Sequence, residues 1–229
     1  MPDPAVQEEI STIPASRRGL TGVTPANQAL ARQTYARFWM RTGATLIASR
    51  YSLAQLAQIV SDRKPARVLE IGAGIGTVTH LLLSHPQFIT KLVSVEDNAF
   101  CRSELAKNIT FADWRRWSVV RSATQIDPAE RFDLIVFDGF QYAEDILDRL
   151  SPGVTCFVDG NRASTRRALE QGALARGLAV DMQPFCSGPR VRMRKHDNAL
   201  GFALRLGTDT CWSFTCRNPS ASSLGEVAA

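Results

Sequence analysis

Residues 68–76 read Val68-Leu69-Glu70-Ile71-Gly72-Ala73-Gly74-Ile75-Gly76, an apolar run that contains one acid and is followed by three glycines at alternate positions. The apolar run predicts a buried parallel strand that stops at Ile71. The glycines predict a tight turn into a helix, because such a turn often needs a positive φ that glycine adopts most easily. A backbone without Cβ atoms also lets a ligand come close. The stretch therefore predicts a strand–turn–helix unit with a binding site at the turn.

Two classes of ligand use such a turn. A dinucleotide fingerprint, Gly-x-Gly-x-x-Gly, seats a pyrophosphate on the helix N-terminus. In this chain the third glycine, Gly76, comes one residue early, and Thr77 stands at the dinucleotide position. A carboxylate at Glu70 would repel a pyrophosphate and attract a cation. The turn therefore favours a positively charged nucleoside, and it disfavours both an NAD-dependent enzyme and a turn that binds nothing.

The pattern Glu-x-Gly-x-Gly-x-Gly resembles motif I of the class I S-adenosylmethionine (SAM)-dependent methyltransferases. SAM carries a sulfonium and an ammonium group and no phosphate, which agrees with an acid beside the turn. The resemblance implies that SAM is the cofactor. It also implies that the turn supplies the first cofactor-binding residues, which are Glu70, Gly72, Ala73, Gly74 and Gly76.

Strands and helices alternate along the chain after Pro65. Strands are predicted at 67–71, 91–95, 117–120, 132–137, 154–158, 178–185 and 199–206, and helices at 75–84, 98–108, 142–150 and 163–175. This order predicts an α/β fold with a Rossmann-like, seven-stranded, mostly parallel sheet and helices on both faces. The last strand follows a loop without a helix, so it is predicted to be antiparallel. A further run, 211–216, is interpreted as an extension of the last hairpin.

The chain is predicted to have four segments. Residues 1–20 contain three prolines and no apolar period, which indicates a flexible arm. Residues 21–64 predict an N-terminal helical cap, with helices beginning near Thr24 and near Ser52. Residues 65–216 form the predicted SAM-binding domain, and the Ser- and Ala-rich residues that remain, 217–229, indicate a flexible tail.

Two carboxylates, Glu96 and Asp97, follow the second predicted strand. An acid at this position of a doubly wound sheet accepts hydrogen bonds from ribose hydroxyls. Both acids are candidates for cofactor binding: Glu96 is assigned to the ribose and Asp97 to the N-cap of the helix that starts near Asn98. The alternative is that both only cap that helix. The resemblance places Ser122 and Ala123, after the third strand, at the adenine edge.

Asp138-Gly139-Phe140 ends the fourth strand, where class I methyltransferases have motif IV. The resemblance implies that Asp138 faces the sulfonium and the incoming nucleophile and that Phe140 packs on the cofactor. The position lacks the Asn/Asp-Pro-Pro-aromatic run typical of enzymes that methylate adenine or glutamine nitrogen, and it lacks the Pro-Cys of cytosine C5 enzymes. The chain looks most like the catechol- and caffeoyl-CoA-type O-methyltransferases.

In those O-methyltransferases a divalent metal is held by an Asp that ends strand 4 and an Asp-Asn pair that ends strand 5. Asp138 and Asp159 match the aspartates, whereas Gly160 stands at the Asn position, with Asn161 one residue later, and Gln141 stands at that of the catalytic lysine. The resemblance thus implies Mg²⁺ between Asp138 and Asp159. The alternative is that Asp159 caps the next helix or holds the loop while Asp138 serves the cofactor alone. With the lysine missing, the candidate catalytic residues are Asp138 and His196.

Charge and composition bear on the partners. The net charge is +5, and a basic cluster precedes His196, which permits an anionic small-molecule acceptor and makes RNA a less favoured one. A solvated hairpin would explain the cluster equally. The arginines around the predicted helix 163–175 are predicted to form a solvated face. The two groups are Arg190, Arg192, Arg194 and Lys195 in the hairpin, and Arg162, Arg166, Arg167 and Arg176 around the helix.

The sequence also bears on location and assembly. No apolar run is long enough to span a membrane, no secretory signal precedes the first helix, and the five cysteines include no Cys-x-x-Cys pair. These features predict a cytoplasmic protein with reduced thiols. The N-terminal helices are a candidate homodimer interface.

Three hypotheses of function follow. The first is a SAM-dependent methyltransferase that acts on a small molecule, at oxygen. The second is an RNA methyltransferase that uses the basic 190–196 loop. The third is a SAM-binding protein without catalysis, motivated by the missing lysine. The sequence does not identify the methyl acceptor.

Overall fold

The computed structural model describes residues 22–139, 144–160, 162–195 and 202–219. The α-helices in these residues are α1 (Pro25–Phe38), α2 (Arg50–Arg63), α3 (Thr77–Leu83), α4 (Ala99–Asn108) and α5 (Ala163–Leu174). The strands are β1 (Arg67–Ile71), β2 (Lys91–Val95), β3 (Trp117–Val120), β4 (Leu134–Phe137), β5 (Thr155–Asp159), β6 (Ala179–Lys195) and β7 (Phe202–Arg217). Where an α-helix is predicted over 142–150, the described part is a 3-10 helix, Glu144–Arg149.

The seven strands form one sheet in the order β3-β2-β1-β4-β5-β7-β6. Strands β1 to β5 run parallel to one another, whereas β7 runs antiparallel to both β5 and β6. The predicted α/β fold, with its mostly parallel sheet and antiparallel last strand, is confirmed. The strand order reverses between β1 and β4, and in open α/β sheets ligands bind outside the carboxyl ends of the strands at such a point.

The sheet is buried on both faces. Val68 of β1 packs in the cluster that contains side chains of α1, α2, α3 and α4, whereas Leu69 and Ile71 pack in the cluster that contains side chains of α5. Burial on both sides explains why β1 is apolar at nearly every position. Helices α1 and α2, predicted as a cap, share the first cluster with α3; α2 packs against β7, and α1 packs on α2 and α3. The predicted segment boundaries stay a prediction.

The first two helices begin at hydroxyl caps. Thr24 caps α1 by accepting a hydrogen bond from the Asn27 amide at 3.3 Å, and Pro25 occupies the first turn. Both features agree with the predicted start of α1. Helix α2 starts earlier than predicted, because Ser49 is its cap and accepts from the Ser52 amide at 3.1 Å. Ser52 is thereby placed inside the helix and buried.

Strand β7 enters the sheet through a different stretch than predicted. The register pairs Thr155–Asp159 with residues 211–215, the run interpreted as an extension of the hairpin. The predicted strand, 199–206, overlaps the part of β7 that pairs with β6 alone. The reason lies in burial, since side chains of 211–216 are mostly buried in the core of the sheet. The prediction of the last strand was therefore correct in direction and wrong in position.

Two further findings concern thiols and membranes. The described cysteines are free thiols: Cys101, Cys156, Cys211 and Cys216. None of the described helices has the length and apolar character that a membrane span requires.

Candidate functional site

Three glycines with positive φ build the turn after β1. Their φ angles are 86° at Gly72, 55° at Gly74 and 100° at Gly76, which is the backbone region that favours glycine. The amides of Gly72 and Ala73 donate hydrogen bonds to the Val95 carbonyl at 2.9 and 3.2 Å. The turn is thus fastened to the carboxyl end of β2, and the predicted strand–turn–helix unit is confirmed.

The three glycines differ in what surrounds them. A Cβ on Gly72 would lie 2.4 Å from the Gly139 backbone nitrogen, and one on Gly76 would lie 2.8 Å from a Leu105 methyl carbon. A Cβ on Gly74 would have no atom within 4 Å. Gly72 and Gly76 therefore allow close packing inside the protein, whereas Gly74 borders open space. Of these glycines, Gly74 is the one that a ligand can approach.

Glu96, at the carboxyl end of β2, binds this turn directly. Its Oε2 accepts a hydrogen bond from the Gly74 amide at 2.6 Å, and its Oε1 accepts from the Asn98 amide at 2.9 Å. The residue is 7% exposed. Each carboxylate oxygen can accept a second hydrogen bond, so the side chain can hold the turn and still accept bonds from two hydroxyls. The arrangement agrees with the ribose assignment, which stays a prediction.

The predicted cap of α4 is wrong by one residue. The side chain of Asn98, rather than that of Asp97, accepts the hydrogen bond from the Cys101 amide, at 3.1 Å. The helix begins at residue 99, so Asn98 is the residue that can reach the third amide of the helix. Arg102 donates to the carbonyls of Glu96 and Asp97 and so stabilises this connection. Asp97 is exposed beside Glu96.

The other predicted cofactor contacts lie partly within the described residues. The Ser122 hydroxyl accepts a hydrogen bond from the Thr124 amide at 3.2 Å, at the start of a short 3-10 helix after β3. Ala123 is buried beneath it. Both residues therefore lie near the carboxyl end of β3, as their assignment to the adenine edge requires. Two further predicted site residues lie outside the described residues: Phe140 and His196.

Glu70 is fully buried, which differs from the expectation that its carboxylate faces a bound cation. Its Oε2 accepts hydrogen bonds from the Thr79 hydroxyl at 2.7 Å and the Ser94 hydroxyl at 2.5 Å. Ser94 in turn accepts from the Trp117 indole nitrogen at 2.9 Å. Glu70 thus lies beneath the turn and joins β1, β2, β3 and α3. Burial raises its pKa from an ordinary 4.5 to about 7.

The raised pKa of Glu70 predicts a pH dependence of stability. Because the folded pKa lies above the unfolded one, the native state binds the proton more tightly. This contribution is complete below the unfolded pKa near 4.5 and is lost as the pH rises through about 7. We expect the free energy of unfolding of the wild type to fall by roughly 3 kcal/mol over that window through this group. Glu70→Gln should remove that fall.

Urea denaturation between pH 5 and pH 8 tests the expectation. The control is Glu170→Gln at an exposed position of α5, which should keep the dependence of the wild type. Other buried carboxyls contribute to the wild-type curve, so the difference between the two curves isolates Glu70. Parallel curves for the wild type and Glu70→Gln would contradict the assignment.

Asp138 and Asp159, at the carboxyl ends of β4 and β5, form a pair of carboxyls whose ionisation is mutually dependent. Burial raises the pKa of both groups, and the charge of Asp159 raises that of Asp138 further. Two carboxyls this close cannot both ionise freely, so the pair retains a proton more readily than an isolated group. The Ser52 side chain, on helix α2, favours the ionised form of Asp159 and so acts against the rise of its pKa. The pair is the strongest acid–base feature of the described site.

The predicted solvated arginine face is wrong for two of its members. Arg162 is largely buried and reaches across to Asp138, with 3.3 Å between guanidinium and carboxylate. Arg166 is buried with its guanidinium 3.7 Å from the centroid of the Trp212 ring. Arg167 is exposed, as predicted. The signal that could have identified Arg162 is its place between the end of β5 and the start of α5, at the same edge as the turn.

The residues present do not fit a divalent metal well. Among the residues that the structure describes, no group of three or more His, Cys, Asp or Glu side chains could hold an ion. Asp138 and Asp159 supply two carboxyls, but Gly160 has no side chain and a guanidinium is already beside the pair. Mg²⁺ prefers six oxygen ligands. The predicted Mg²⁺ therefore has little support from this geometry.

The residues fit SAM better. The turn and the loop after β4 are in backbone contact, because Gly139 and Asp138 both donate to the Ile71 carbonyl at 2.9 Å. Open space at Gly74, free acceptor capacity on Glu96 and a carboxyl pair thus lie along one edge, at the point where the strand order reverses.

Solved structures share this architecture. An O-methyltransferase from Bacillus cereus in complex with SAH matches with a TM-score of 0.54 at 18% identity, over 93% of this chain and 97% of that one. TomG from Streptomyces achromogenes, an O-methyltransferase in complex with SAM, matches with a TM-score of 0.53 at 15% identity, over 90% of this chain and 100% of that one. A proposed RNA methyltransferase from Pyrococcus horikoshii matches with a TM-score of 0.58 at 12% identity, over 85% of this chain and 100% of that one. The fold is that of the class I methyltransferases. No protein-family model and no curated protein sequence matches the chain.

The candidate site lies along the carboxyl ends of β1, β2 and β4, where this chain places Gly74, Glu96 and Asp138. Several structural neighbours are O-methyltransferases. The resemblance noted in the sequence is thus supported by the fold.

Proposed function

We propose that the chain is a SAM-dependent methyltransferase that methylates a small-molecule acceptor at oxygen. One observation carries the proposal. Where the strand order reverses between β1 and β4, the Gly-rich turn is hydrogen-bonded to Glu96, and the loop after β4 that begins at Asp138 is hydrogen-bonded to the end of β1. The neighbours crystallised with SAH or SAM support SAM as the cofactor. Because these neighbours are O-methyltransferases, they support oxygen as the methylated atom.

The proposed binding mode follows from the described contacts. Glu96 accepts hydrogen bonds from the ribose hydroxyls, and Gly74 lets the nucleoside approach the backbone. Ser122 and Ala123 border the adenine, with Asp97 at the rim. Glu70 holds the turn from below as a positioning residue. When bound, SAM supplies a methyl group that its sulfonium makes electrophilic.

The proposed role of the carboxyl pair is proton acceptance. Methylation of a hydroxyl releases a proton, and the ionised member of the Asp138–Asp159 pair can take it from the acceptor oxygen. A carboxyl with a raised pKa is a stronger base than an ordinary one. The Ser52 side chain favours the ionised form of Asp159. His196, outside the described residues, stays a predicted second base.

Calorimetric titration of the full chain with SAM and with SAH tests the proposal. We expect micromolar binding of both, followed by transfer of a labelled methyl group from SAM to a dialysable fraction of a cell extract. Absence of binding at high micromolar concentration would overturn the proposal. Binding without any transfer to small molecules or RNA would favour a SAM-binding protein without catalysis.

RNA as acceptor is the second candidate, favoured by the long β6–β7 hairpin. The register of the hairpin pairs Arg192 with Arg205, and Arg190 and Arg194 occupy alternate positions of the same strand. Contacts to phosphates would make binding fall steeply as salt rises. Turnover of a small molecule that is insensitive to salt would argue against RNA. Cytoplasmic location and a homodimer stay predictions.

A further inference from the structure

Arg162 joins the carboxyl ends of β4 and β5. Its Nε donates to the Asp159 carbonyl at 2.7 Å, its Nη1 to the Gly139 carbonyl at 2.8 Å and its Nη2 to the Asp138 carbonyl at 2.6 Å. The same Nη2 lies 3.3 Å from Asp138 Oδ1. The side chain is 12% exposed. The guanidinium is therefore held rigidly among carbonyl oxygens, beside the carboxyl pair.

The surroundings of Arg162 are those of a cation site. Carbonyl oxygens and carboxylates are also the ligands that Mg²⁺ accepts. The guanidinium is charged at every physiological pH and offers its donors in one plane. Its positive charge lies 3.3 Å from the Asp138 carboxylate and also interacts with Asp159. A second cation at this place would meet repulsion from the guanidinium.

We propose that the guanidinium of Arg162, beside the Asp138 carboxylate and on the Asp159 carbonyl, supplies the positive charge that a divalent cation would supply at this pair, so that the site works without a metal. The proposal rests on the proposed function for the reaction that the site performs, whereas the exclusion of metal is a property of the protein alone. The bare position at Gly160, where an added Cβ would have no atom within 4 Å, offers no side-chain ligand to complete an ion's coordination.

Titration with Mn²⁺ tests the proposal on full-length protein dialysed against EDTA, with electron paramagnetic resonance reporting free Mn²⁺. We expect the wild type to bind no Mn²⁺ with a dissociation constant below about 1 mM. Arg162→Met should bind one Mn²⁺ at least about tenfold more tightly, because its carboxyls lose their counter-charge. Arg167→Met, an exposed arginine of the same helix, is the matched control and should behave as the wild type. Arg162→Met combined with Asp159→Asn should lose the gained binding.

If Arg162→Met does not fold, the Mn²⁺ titration of the wild type decides whether the site excludes a metal. One Mn²⁺ bound to the wild type and released by Asp159→Asn would overturn the proposal, as would a folded Arg162→Met that gains no binding. Turnover that survives EDTA would support it, and turnover that EDTA abolishes and Mg²⁺ restores would overturn it. Calorimetry with SAM is run separately, because failure to bind SAM counts against the proposed function and leaves the Mn²⁺ comparison valid.

Discussion

Glu96→Ala is expected to weaken SAM binding by at least about a hundredfold. The carboxylate is proposed to accept two ribose hydrogen bonds, and a hydrogen bond to a charged group contributes about 1.5–3 kcal/mol. The same substitution removes the acceptor for the Gly74 amide, which lies 2.6 Å from Oε2, so the turn also loses its fixed position. Both effects act in the same direction. Calorimetric titration with SAM and SAH measures the change.

The control for Glu96 is its neighbour. Asp97→Asn alters an exposed carboxylate that does not cap α4, and it should change SAM affinity by less than about threefold. Glu96→Gln separates the two roles of Glu96, because an amide oxygen can still accept from the Gly74 amide while the charge is lost. Wild-type affinity in Glu96→Ala would remove Glu96 from the cofactor site. Equal losses in Asp97→Asn and Glu96→Ala would contradict the division of roles between them.

Strands β1, β2, β4 and β5 could be predicted from the sequence because they are buried and therefore form short apolar runs. Strand β3 lies at the edge of the sheet and is partly exposed, but its predicted bounds, like those of β1 and β2, agree with the structure. The turn after β1 could be predicted for a different reason, since three glycines at alternate positions indicate backbone with positive φ, as the structure has it. Glu96 was predictable from its place at the end of β2. In each case the signal is local.

The features that the sequence did not reveal depend on contacts between distant segments. Residues 211–215 mix apolar and polar side chains, and only their register with β5 shows that they enter the sheet there. Glu70 was expected to face a ligand, but the hydroxyls of Thr79 and Ser94 draw it into the interior. Arg162 resembled its solvated neighbours, yet three carbonyls that the sheet brings together give it a buried site. The sequence thus predicted that the site lies at the carboxyl edge of the sheet, but it did not predict the burial of Glu70 or the contacts of Arg162.

Gly72→Ala and Gly74→Ala are expected to fail in different ways, although both glycines have positive φ. At Gly72 the new Cβ would lie 2.4 Å from the Gly139 backbone nitrogen. This clash can be relieved only if the backbone after β4 moves away from the end of β1. We expect the free energy of unfolding to fall by about 3 kcal/mol or more, from overpacking and the positive φ together. At Gly74 the Cβ has open space, so the fall should be about 1–2 kcal/mol, from the φ alone.

SAM binding should follow a different order from stability. Gly74→Ala fills the open side of the turn, so a folded protein should lose SAM affinity by at least about tenfold, as expected where a ligand approaches bare backbone. Urea denaturation gives the stabilities, and calorimetry with SAM gives the affinities. A Gly74→Ala protein that binds SAM like the wild type would place the ligand elsewhere along this edge. A Gly72→Ala protein as stable as the wild type would show that the turn and the Asp138 loop are not in contact.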